Sequence, residues 1–271
     1  MPIETQTEPE IDVVRQIDCL EGMKDIPDAS VDMIFCDLPY SVTARNSWDS
    51  MIPPALLWPE YERIIKRHGV ILLFGQDKFT AEMMLSNRRL HRYNIIWEKT
   101  TPTGFLNANR MPLRIHEDIM VFYKALPVYH PQKTDGHSPV HSYTKRTSDG
   151  TNYGETKRGV SGGGSTERFP TSVWRFATDK QKSSIHPTQK PVDLCRYAIR
   201  TYSNPGDLVL DNCCGSGSIL VAAKMEGRHY IGMDNGFCEK EGEFYGVSWA
   251  QIATERLKSV EVADVGSPNV V

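Results

Sequence analysis

The chain has 271 residues, a formal net charge of −3 and 39% hydrophobic residues. This length can bury a sizeable core, either as one large α/β domain or as a domain with an inserted subdomain. No apolar stretch approaches the ~20 residues that a membrane-spanning helix needs, so the composition argues against an integral membrane protein.

The predicted elements alternate between strands and helices. They follow the polar, acidic residues 1–10, which lack the features of a secretion signal and are predicted to be a disordered lead. Apolar runs predict strands near residues 12–17, 31–36, 70–74, 93–97, 119–123, 207–211 and 229–233. Helical spacing of apolar residues predicts helices near residues 54–67, 77–87, 190–203, 216–226 and 247–259. Pro59 leaves open whether the first helix begins at residue 54 or at Pro59 itself.

This alternation predicts an α/β fold. Strands that are separated by helices form a largely parallel sheet, because a parallel neighbour requires a crossover connection. We therefore expect a mostly parallel, seven-stranded sheet that is covered by helices on both faces.

The first chemically informative segment is Asp37-Leu38-Pro39-Tyr40, directly after the strand near 31–36. Ligands of open α/β sheets lie just beyond the carboxyl ends of strands. Pro39 fixes its own φ and restricts Leu38, so the turn can be stiff. A carboxylate, a carbonyl and an aromatic ring are thus presented together, which predicts a site for an amino group on a flat ring that Tyr40 can stack on.

The interval from Lys124 to Lys190 is basic, with eleven lysines and arginines against five acidic residues. It is polar and rich in glycine and serine, with Ser161-Gly162-Gly163-Gly164-Ser165 at its middle, and it lacks the periodicity of a packed domain. Such a segment is either a solvated insertion or a surface that faces nucleic acid, since basic residues neutralise phosphates.

A second informative segment is Asp211-Asn212-Cys213-Cys214-Gly215-Ser216-Gly217-Ser218, where a predicted strand runs into a small-residue loop and then a helix. Glycines in such a loop let the backbone approach a ligand closely. Asp234 ends the next strand about 20 residues beyond the loop, at the offset of a carboxylate that accepts hydrogen bonds from ribose hydroxyls. The βαβ pattern predicts nucleotide binding and, alone, also suits a nicotinamide or flavin cofactor.

The six cysteines form no Cys-x-x-Cys pair, and several fall in predicted strands or helices. We therefore expect buried thiols in a reducing cytoplasm. A zinc site would need closely spaced His or Cys ligands, which the eight histidines do not supply. The sequence predicts a cytoplasmic protein without a metal.

Together, these segments resemble the β group of the DNA amino-methyltransferases, which move a methyl group from S-adenosylmethionine to the exocyclic nitrogen of adenine or cytosine. In that group an Asp-Pro-Pro-Tyr turn comes first, a target-recognition region follows, and the cofactor loop comes last. The motif His-Pro-Thr-Gln-Lys-Pro precedes the loop and stands unbroken here at residues 186–191. The resemblance also includes residues 17–23, 96–99 and 114–124, and one departure is Leu38, which replaces the first proline of the turn.

The resemblance implies a Rossmann-like S-adenosylmethionine-dependent methyltransferase domain over residues 11–258, with a permuted motif order. It further implies an inserted, DNA-facing target-recognition region at residues 124–185, and it leaves residues 259–271 as a tail. Double-stranded DNA is the implied partner, and a homodimer is possible by the same analogy.

Adenine N6 is the implied target, because related cytosine enzymes usually have Ser in place of Asp37. The alternatives are an N4-cytosine methyltransferase, a catalytically weak relative that binds DNA and cofactor, and, from the fold alone, a nicotinamide-dependent oxidoreductase. Methylation of a protein glutamine is disfavoured, because those enzymes place the cofactor loop before the turn.

Functional residues are carried over from the family position by position. The predicted catalytic residues are Asp37, Pro39 and Tyr40. The predicted cofactor-binding residues are Asp18, Asp37, Thr188, Lys190, Asp211, Cys213, Gly215, Gly217 and Asp234, with Thr188 and Lys190 expected to bind the methionine carboxylate. The predicted DNA-binding residues are Lys145, Arg146, Lys157, Arg158 and Arg168. For Asp18 and Asp211 the alternative is a purely structural role as a cap of the turn after a strand.

Overall fold

The structure is a computed structural model that describes residues 9–40, 51–144, 161–178, 189–239 and 244–261. The chain divides into two compact units, of which the smaller comprises residues 131–171 and the larger contains the rest. Within the described ranges, no helix is long and apolar enough to cross a membrane.

The described residues contain ten strands. In chain order these are β1 (Val13–Arg15), β2 (Val31–Cys36), β3 (Ile65–Gly75), β4 (His91–Thr103), β5 (Arg114–Phe122), β6 (Tyr143–Thr144), β7 (Ser161–Gly162), β8 (Val173–Phe176), β9 (Leu208–Asp211) and β10 (His229–Met233). Eight of them form one sheet in the order β1-β10-β9-β2-β3-β5-β4-β8, while β6 pairs with β7 in the smaller unit. Only β5 runs antiparallel to its sheet neighbours, so the predicted, mostly parallel sheet is confirmed.

The predicted number of seven strands is wrong, because β8 adds an eighth at the edge of the sheet. Its four residues lie inside an interval that is polar and basic overall, so the local pattern is weak. The strand forms because it pairs in parallel with β4 and buries Trp174. In addition, the Trp97 side chain donates a hydrogen bond to the Phe176 carbonyl at 3.0 Å.

Six α-helices connect the strands in the described residues. They are α1 (Cys19–Lys24), α2 (Pro54–Ile64), α3 (Asp77–Ser86), α4 (Val192–Tyr202), α5 (Ser218–Met225) and α6 (Trp249–Lys258). Helix α2 begins at Pro54 and continues through Pro59, so the alternative start at Pro59 is wrong. Proline has no N–H to offer the carbonyl of Ala55, four residues earlier. Ala55 is exposed, and water can solvate that carbonyl.

The sheet is buried on both faces, as its apolar strands predict. In β2, Met33 and Phe35 pack on the side of α4, α5 and α6, whereas Ile34 and Cys36 pack on the side of α1, α2 and α3. This alternation follows from the two-residue period of a strand. The predicted covering of both faces by helices is therefore confirmed.

The strand directions bring the functional segments to one edge of the sheet. The parallel strands β2, β9 and β10 end there, and β2 lies between β9 and β3. The same edge receives the end of β4 and, because β5 is antiparallel, the beginning of β5. The residues after β2, β9 and β10 consequently lie in the region where open α/β sheets bind ligands.

Candidate active site

The turn from Asp37 to Tyr40 leaves β2 at this carboxyl edge. Leu38 is only 4% exposed and packs in the core on the side of α1, α2 and α3, whereas Asp37, Pro39 and Tyr40 are partly exposed. Leu38 stands where the family has a proline. Burial of its side chain therefore anchors the turn by packing at a position where proline would restrict the backbone.

Both carboxylate oxygens of Asp37 have a partner. The Tyr40 hydroxyl donates a hydrogen bond to Oδ1 at 2.5 Å, and the Lys190 ammonium lies 2.6 Å from Oδ2. The Tyr40 ring stacks on Phe79 with 4.6 Å between ring centroids. Phe79 thus covers one face of Tyr40, and a further ring can stack only on the other.

Asp37 is the first member of what we term the buried charge chain, which consists of Asp37, Lys190, Glu117 and Lys99. The Lys190 ammonium lies 3.2 Å from Oε2 of Glu117, and the Lys99 ammonium lies 2.5 Å from Oε1. Both lysine side chains are 8% exposed, and Glu117 is 13% exposed. Negative and positive groups alternate along the buried charge chain. Each buried charge therefore has a neighbour of opposite charge, as burial requires.

The environment fixes the charge of the two central members. Burial works against the Lys190 ammonium, but Asp37 and Glu117 outweigh it and raise the pKa of Lys190 above its usual range. Burial also works against the Glu117 carboxylate, yet Lys190 and Lys99 outweigh it and lower its pKa. By contrast, burial raises the pKa of Asp37 in spite of Lys190. Of the two carboxylates, Asp37 therefore takes up a proton more readily than Glu117.

Asp211 ends β9 and is almost completely buried, with 2% exposure. One of its oxygens accepts a hydrogen bond from the backbone N–H of Cys213 at 3.3 Å, and Cys213 itself is half-buried. Burial raises the pKa of Asp211 from 3.8 to about 8, and the charges of Asp37 and Asp234 add to the shift. Asp37 follows β2 and Asp234 follows β10, and each is thus close enough to repel Asp211 at the end of β9.

Asp234 ties the glycine loop to the end of β10. Its carboxylate accepts hydrogen bonds from the backbone N–H groups of Gly215 and Gly236, both at 2.8 Å. Gly215 and Gly217 have φ values of 48° and 78°, in the left-handed region that favours glycine. The loop is therefore held in a conformation that its glycines allow.

Asp18 caps helix α1, and it also lies near the Asp234 turn. Its carboxylate accepts a hydrogen bond from the backbone N–H of Leu20 at 2.9 Å and so caps α1. Its other oxygen is 3.5 Å from the side-chain nitrogen of Asn235. Asp18 is exposed, so the cap does not prevent contact with a ligand.

The carboxyl edge fits the cofactor that the family resemblance implies. Burial and the charges of Asp37 and Asp234 raise the pKa of Asp211, and a ligand that carries positive charge would stabilise its carboxylate. Asp234 is half-buried beside the backbone of Gly215, and an acid next to backbone without a Cβ atom also suits a sugar with hydroxyl groups. S-adenosylmethionine has both a positive sulfur and a ribose.

The remaining predicted residues are only partly within the described residues. Thr188, Lys145, Arg146, Lys157 and Arg158 lie outside them. Lys190 is described, and its ammonium contacts Asp37 and Glu117, so binding of the methionine carboxylate by Lys190 stays a prediction.

Arg168 lies in the smaller unit, where its guanidinium donates hydrogen bonds to the carbonyls of Ser165, Glu167 and Ser138. These bonds give Arg168 a role in holding that unit together. Its contact with DNA stays a prediction.

Lys99 and Glu117 are site residues that the motifs do not predict. Their only sequence signal is that they lie in the segments 96–99 and 114–124, which resemble the family. Trp97 pairs with Glu117 across β4 and β5, which makes Lys99 and Glu117 diagonal neighbours on adjacent strands.

A glycine loop and an Asp-x-Pro-Tyr turn at the switch point of a mostly parallel sheet define a methyltransferase of the Rossmann-like class. The family model N6_N4_Mtase, described as DNA methylase, matches residues 31–240. The chain therefore belongs to this DNA methylase family, as its motifs predict.

Two curated relatives align with most of the chain. The Type II methyltransferase M1.MboII of Moraxella bovis is 27% identical in an alignment 252 residues long, which covers 83% of this chain and 92% of the relative. The DNA adenine methyltransferase YhdJ of Escherichia coli (strain K12) is 26% identical in an alignment 242 residues long, which covers 80% of this chain and 76% of YhdJ.

Solved structures show the same fold at low sequence identity. The M1.HpyAVI–SAM complex matches with a TM-score of 0.59 and 22% identity, covering 90% of this chain and 99% of that chain. The cytosine-N4-specific PvuII DNA methyltransferase matches with a TM-score of 0.62 and 12% identity, covering 97% of this chain and 98% of that chain. The predicted Rossmann-like methyltransferase fold is thus confirmed.

Proposed function

We propose that this protein transfers a methyl group from S-adenosylmethionine to the N6 amino group of adenine in double-stranded DNA, in the bacterial cytoplasm. The observation that carries the proposal is the Asp37 turn, placed beside Asp211 and Asp234 at the carboxyl edge of the sheet. Asp at the head of the turn favours adenine. The relative YhdJ is named a DNA adenine methyltransferase, which supports the same target.

The cofactor is proposed to bind along the ends of β1, β10 and β9. Asp234 would accept hydrogen bonds from the ribose hydroxyls, Asp18 would contact the adenine end, and the backbone at Gly215 and Gly217 would lie close to the methionine side. Thr188 remains the proposed partner of the methionine carboxylate, together with Lys190. S-adenosylmethionine supplies a methyl group that its positive sulfur has already activated.

The target adenine must leave the helical stack, because its amino group cannot otherwise reach a methyl donor in line. Extrusion costs a few kcal/mol, and stacking on an aromatic face returns on the order of 1–3 kcal/mol per base. Tyr40 is the proposed stacking partner, through the face that Phe79 does not cover. Stacking therefore offsets a substantial part of the cost of extrusion.

The extruded amino group is proposed to donate hydrogen bonds to the Asp37 carboxylate and to the Pro39 carbonyl. Two acceptors draw the nitrogen lone pair out of the ring and stabilise the positive charge that develops on nitrogen. The raised pKa of Asp37 suits the next step, in which the nitrogen gives up a proton, directly or through water. Alignment of the reacting groups by the stiff turn supplies a further part of the rate increase.

The smaller unit is proposed to face DNA. Its residues include Arg168 and the pair Lys133 and Phe169, whose ammonium and ring centroid are 5.0 Å apart. Phe169 is 69% exposed, which leaves an aromatic surface beside a positive charge. Such groups suit phosphates and bases, and Lys145, Arg146, Lys157 and Arg158 are proposed to extend the basic surface.

Identification of the methylated base tests this proposal. The protein is incubated with methyl-labelled S-adenosylmethionine and unmethylated duplex DNA, the DNA is digested to nucleosides, and the labelled nucleoside is identified by mass spectrometry. We expect N6-methyladenine. Label in N4-methylcytosine would support the second candidate, whose fold is the same in the PvuII enzyme. A digest with no labelled nucleoside would contradict both.

Cofactor binding is expected to release a proton from Asp211. At pH 7 this group is mostly protonated because its pKa is about 8, and a cationic ligand favours the carboxylate. Calorimetric titrations at pH 7 in phosphate and in Tris should therefore give different binding enthalpies, and affinity should rise as the pH approaches 8. The demethylated product lacks the sulfonium charge and should release fewer protons.

The matched control for this proton release is Asp211→Asn. In that variant the binding enthalpies in phosphate and in Tris should no longer differ through Asp211. In the absence of ligand, Asp211 should make the free energy of unfolding fall as the pH rises from 3.8 to about 8, because the folded protein retains a proton that the unfolded chain has lost. Equal enthalpies in both buffers for the unaltered protein would show that Asp211 does not sense the cofactor.

A further inference from the structure

One oxygen of Glu117 is buried without a hydrogen bond. Oε1 has the Lys99 ammonium at 2.5 Å, but Oε2 has no hydrogen-bond partner in the part of the chain that the structure describes. The Lys190 ammonium is 3.2 Å from Oε2 and forms an ion pair with it. A small reorientation of this ammonium would therefore give Oε2 its hydrogen bond, so Glu117 is placed to accept more from Lys190 than it does here.

Lys190 lies between two carboxylates that both attract it. Its ammonium is 2.6 Å from Oδ2 of Asp37 and 3.2 Å from Oε2 of Glu117, so a small shift transfers its closest contact from one to the other. A lysine side chain has a flexible stem and three rotatable donors, which suits such a shift. The ring of Phe74, with its centroid 4.9 Å from the ammonium, forms an aromatic wall beside it.

Each carboxylate oxygen of Asp37 already has one partner, Tyr40 at Oδ1 and Lys190 at Oδ2. The target amino group therefore competes with both for the lone pairs of the carboxylate, and withdrawal of the Lys190 ammonium would open Oδ2 to it. A displaced ammonium that stayed buried without a counter-charge would be strongly unfavourable. Glu117 already provides that counter-charge within contact distance.

We propose that Glu117, held in place by Lys99, is a positioning residue that receives the Lys190 ammonium when the target amino group hydrogen-bonds to Asp37. The proposal rests on the proposed methyl transfer, and it adds a rearrangement that opens Oδ2 of Asp37 to the target amino group. The ammonium keeps a carboxylate partner in both arrangements. The exchange also completes the hydrogen bonding of Oε2.

The variant Glu117→Gln tests this proposal, because the amide keeps the size of the side chain and removes the counter-charge. We expect single-turnover methyl transfer to slow by about 10–100-fold, the scale on which misplacement of a reacting group acts. The affinity for S-adenosylmethionine, measured by calorimetry, should stay unchanged. The control is Glu98→Gln, at the residue before Lys99. The Glu98 carboxylate lies in an exposed pair with Arg175, so this substitution should not affect the rate.

The pH dependence of the methyl-transfer rate distinguishes a positioning role of Glu117 from a purely structural role. The charged or titratable groups that act on Asp37 are Tyr40, Lys190, Glu117 and Asp211. The negative charge of Glu117 raises the pKa of Asp37, so its removal should move the acidic limb of the rate profile to lower pH. Glu117→Asp retains the charge and should keep the limb where it is in the unaltered protein.

The double variant Lys99→Met/Glu117→Gln covers the case in which Glu117→Gln alone fails to fold, because it also removes the lysine that would be left unpaired. If Glu117 serves only to neutralise Lys99, the double variant should regain the full rate. The proposal instead predicts that it stays slow, since Lys190 still has no second counter-charge. A full rate of methyl transfer in either variant would overturn the proposal. If the unaltered protein itself transferred no methyl group to DNA, the proposed function would be refuted instead.

Discussion

Replacing Asp37 with alanine is expected to reduce methyl transfer by a factor on the order of 10²–10⁴, the range for loss of a group that acts in proton transfer or charge stabilisation. The substitution removes the carboxylate that would accept the target amino group. Because Asp37 lies on the β2 turn and the glycine loop lies after β9, binding of S-adenosylmethionine should be largely retained. Single-turnover transfer to duplex DNA and calorimetry with the cofactor measure the two effects separately.

The matched control for this substitution is Asp37→Asn, which keeps the shape of the side chain and one acceptor oxygen. If acceptance of a hydrogen bond is the larger contribution of Asp37, the asparagine variant should retain more activity than the alanine variant. If proton uptake is the larger contribution, the two variants should be equally impaired. In both variants Lys190 keeps Glu117 as a counter-charge, which favours folding. Unimpaired turnover by the alanine variant would remove Asp37 from the mechanism.

Replacing Gly217 with valine is expected to destabilise the fold by about 2–5 kcal/mol, from a strained backbone and a crowded contact. Gly217 has a φ of 78°, and a Cβ there would lie 2.9 Å from Cβ of Ala253 in α6. The loop must shift to relieve this contact, so affinity for S-adenosylmethionine should also fall. Thermal unfolding and calorimetric titration measure the two losses.

Gly206 provides the control, because its φ is 83° and no heavy atom lies within 4 Å of the Cβ that a substitution would add. Gly206→Val should therefore show only the backbone strain, about 1–3 kcal/mol, and bind the cofactor normally. If Gly217→Val bound the cofactor with undiminished affinity, the loop would not be the cofactor-binding segment.

Much of the fold is readable from local sequence patterns, because the buried parallel strands are strongly apolar and the longer helices have a clear apolar face. Local sequence patterns do not predict strand β8 and helix α1, for different reasons. The strand depends on pairing with β4, which lies far away in the sequence. The helix has six residues, too few to show a helical period, although Asp18 is a favourable cap.

Some features of the candidate site are likewise predictable from local sequence, and others are not. Asp37, Asp211 and Asp234 follow apolar strands, so the rule that ligands bind at carboxyl ends of strands predicts that they converge. The contacts of Lys190 with Asp37 and Glu117 depend instead on the register of β4 with β5 and on the position of α4. Neither follows from local pattern, so the sequence places Glu117 in a family-like segment but does not predict its contact with Lys190.

The measurement that tests the central claim most directly is nucleoside analysis of DNA treated in parallel with the unaltered protein and with Asp37→Ala. Both reactions contain methyl-labelled S-adenosylmethionine and the same unmethylated duplex DNA. We predict labelled N6-methyladenine from the unaltered protein and almost none from the variant. Equal labelling by the two proteins, or label in another nucleoside, would contradict the assignment of adenine methylation to the Asp37 turn.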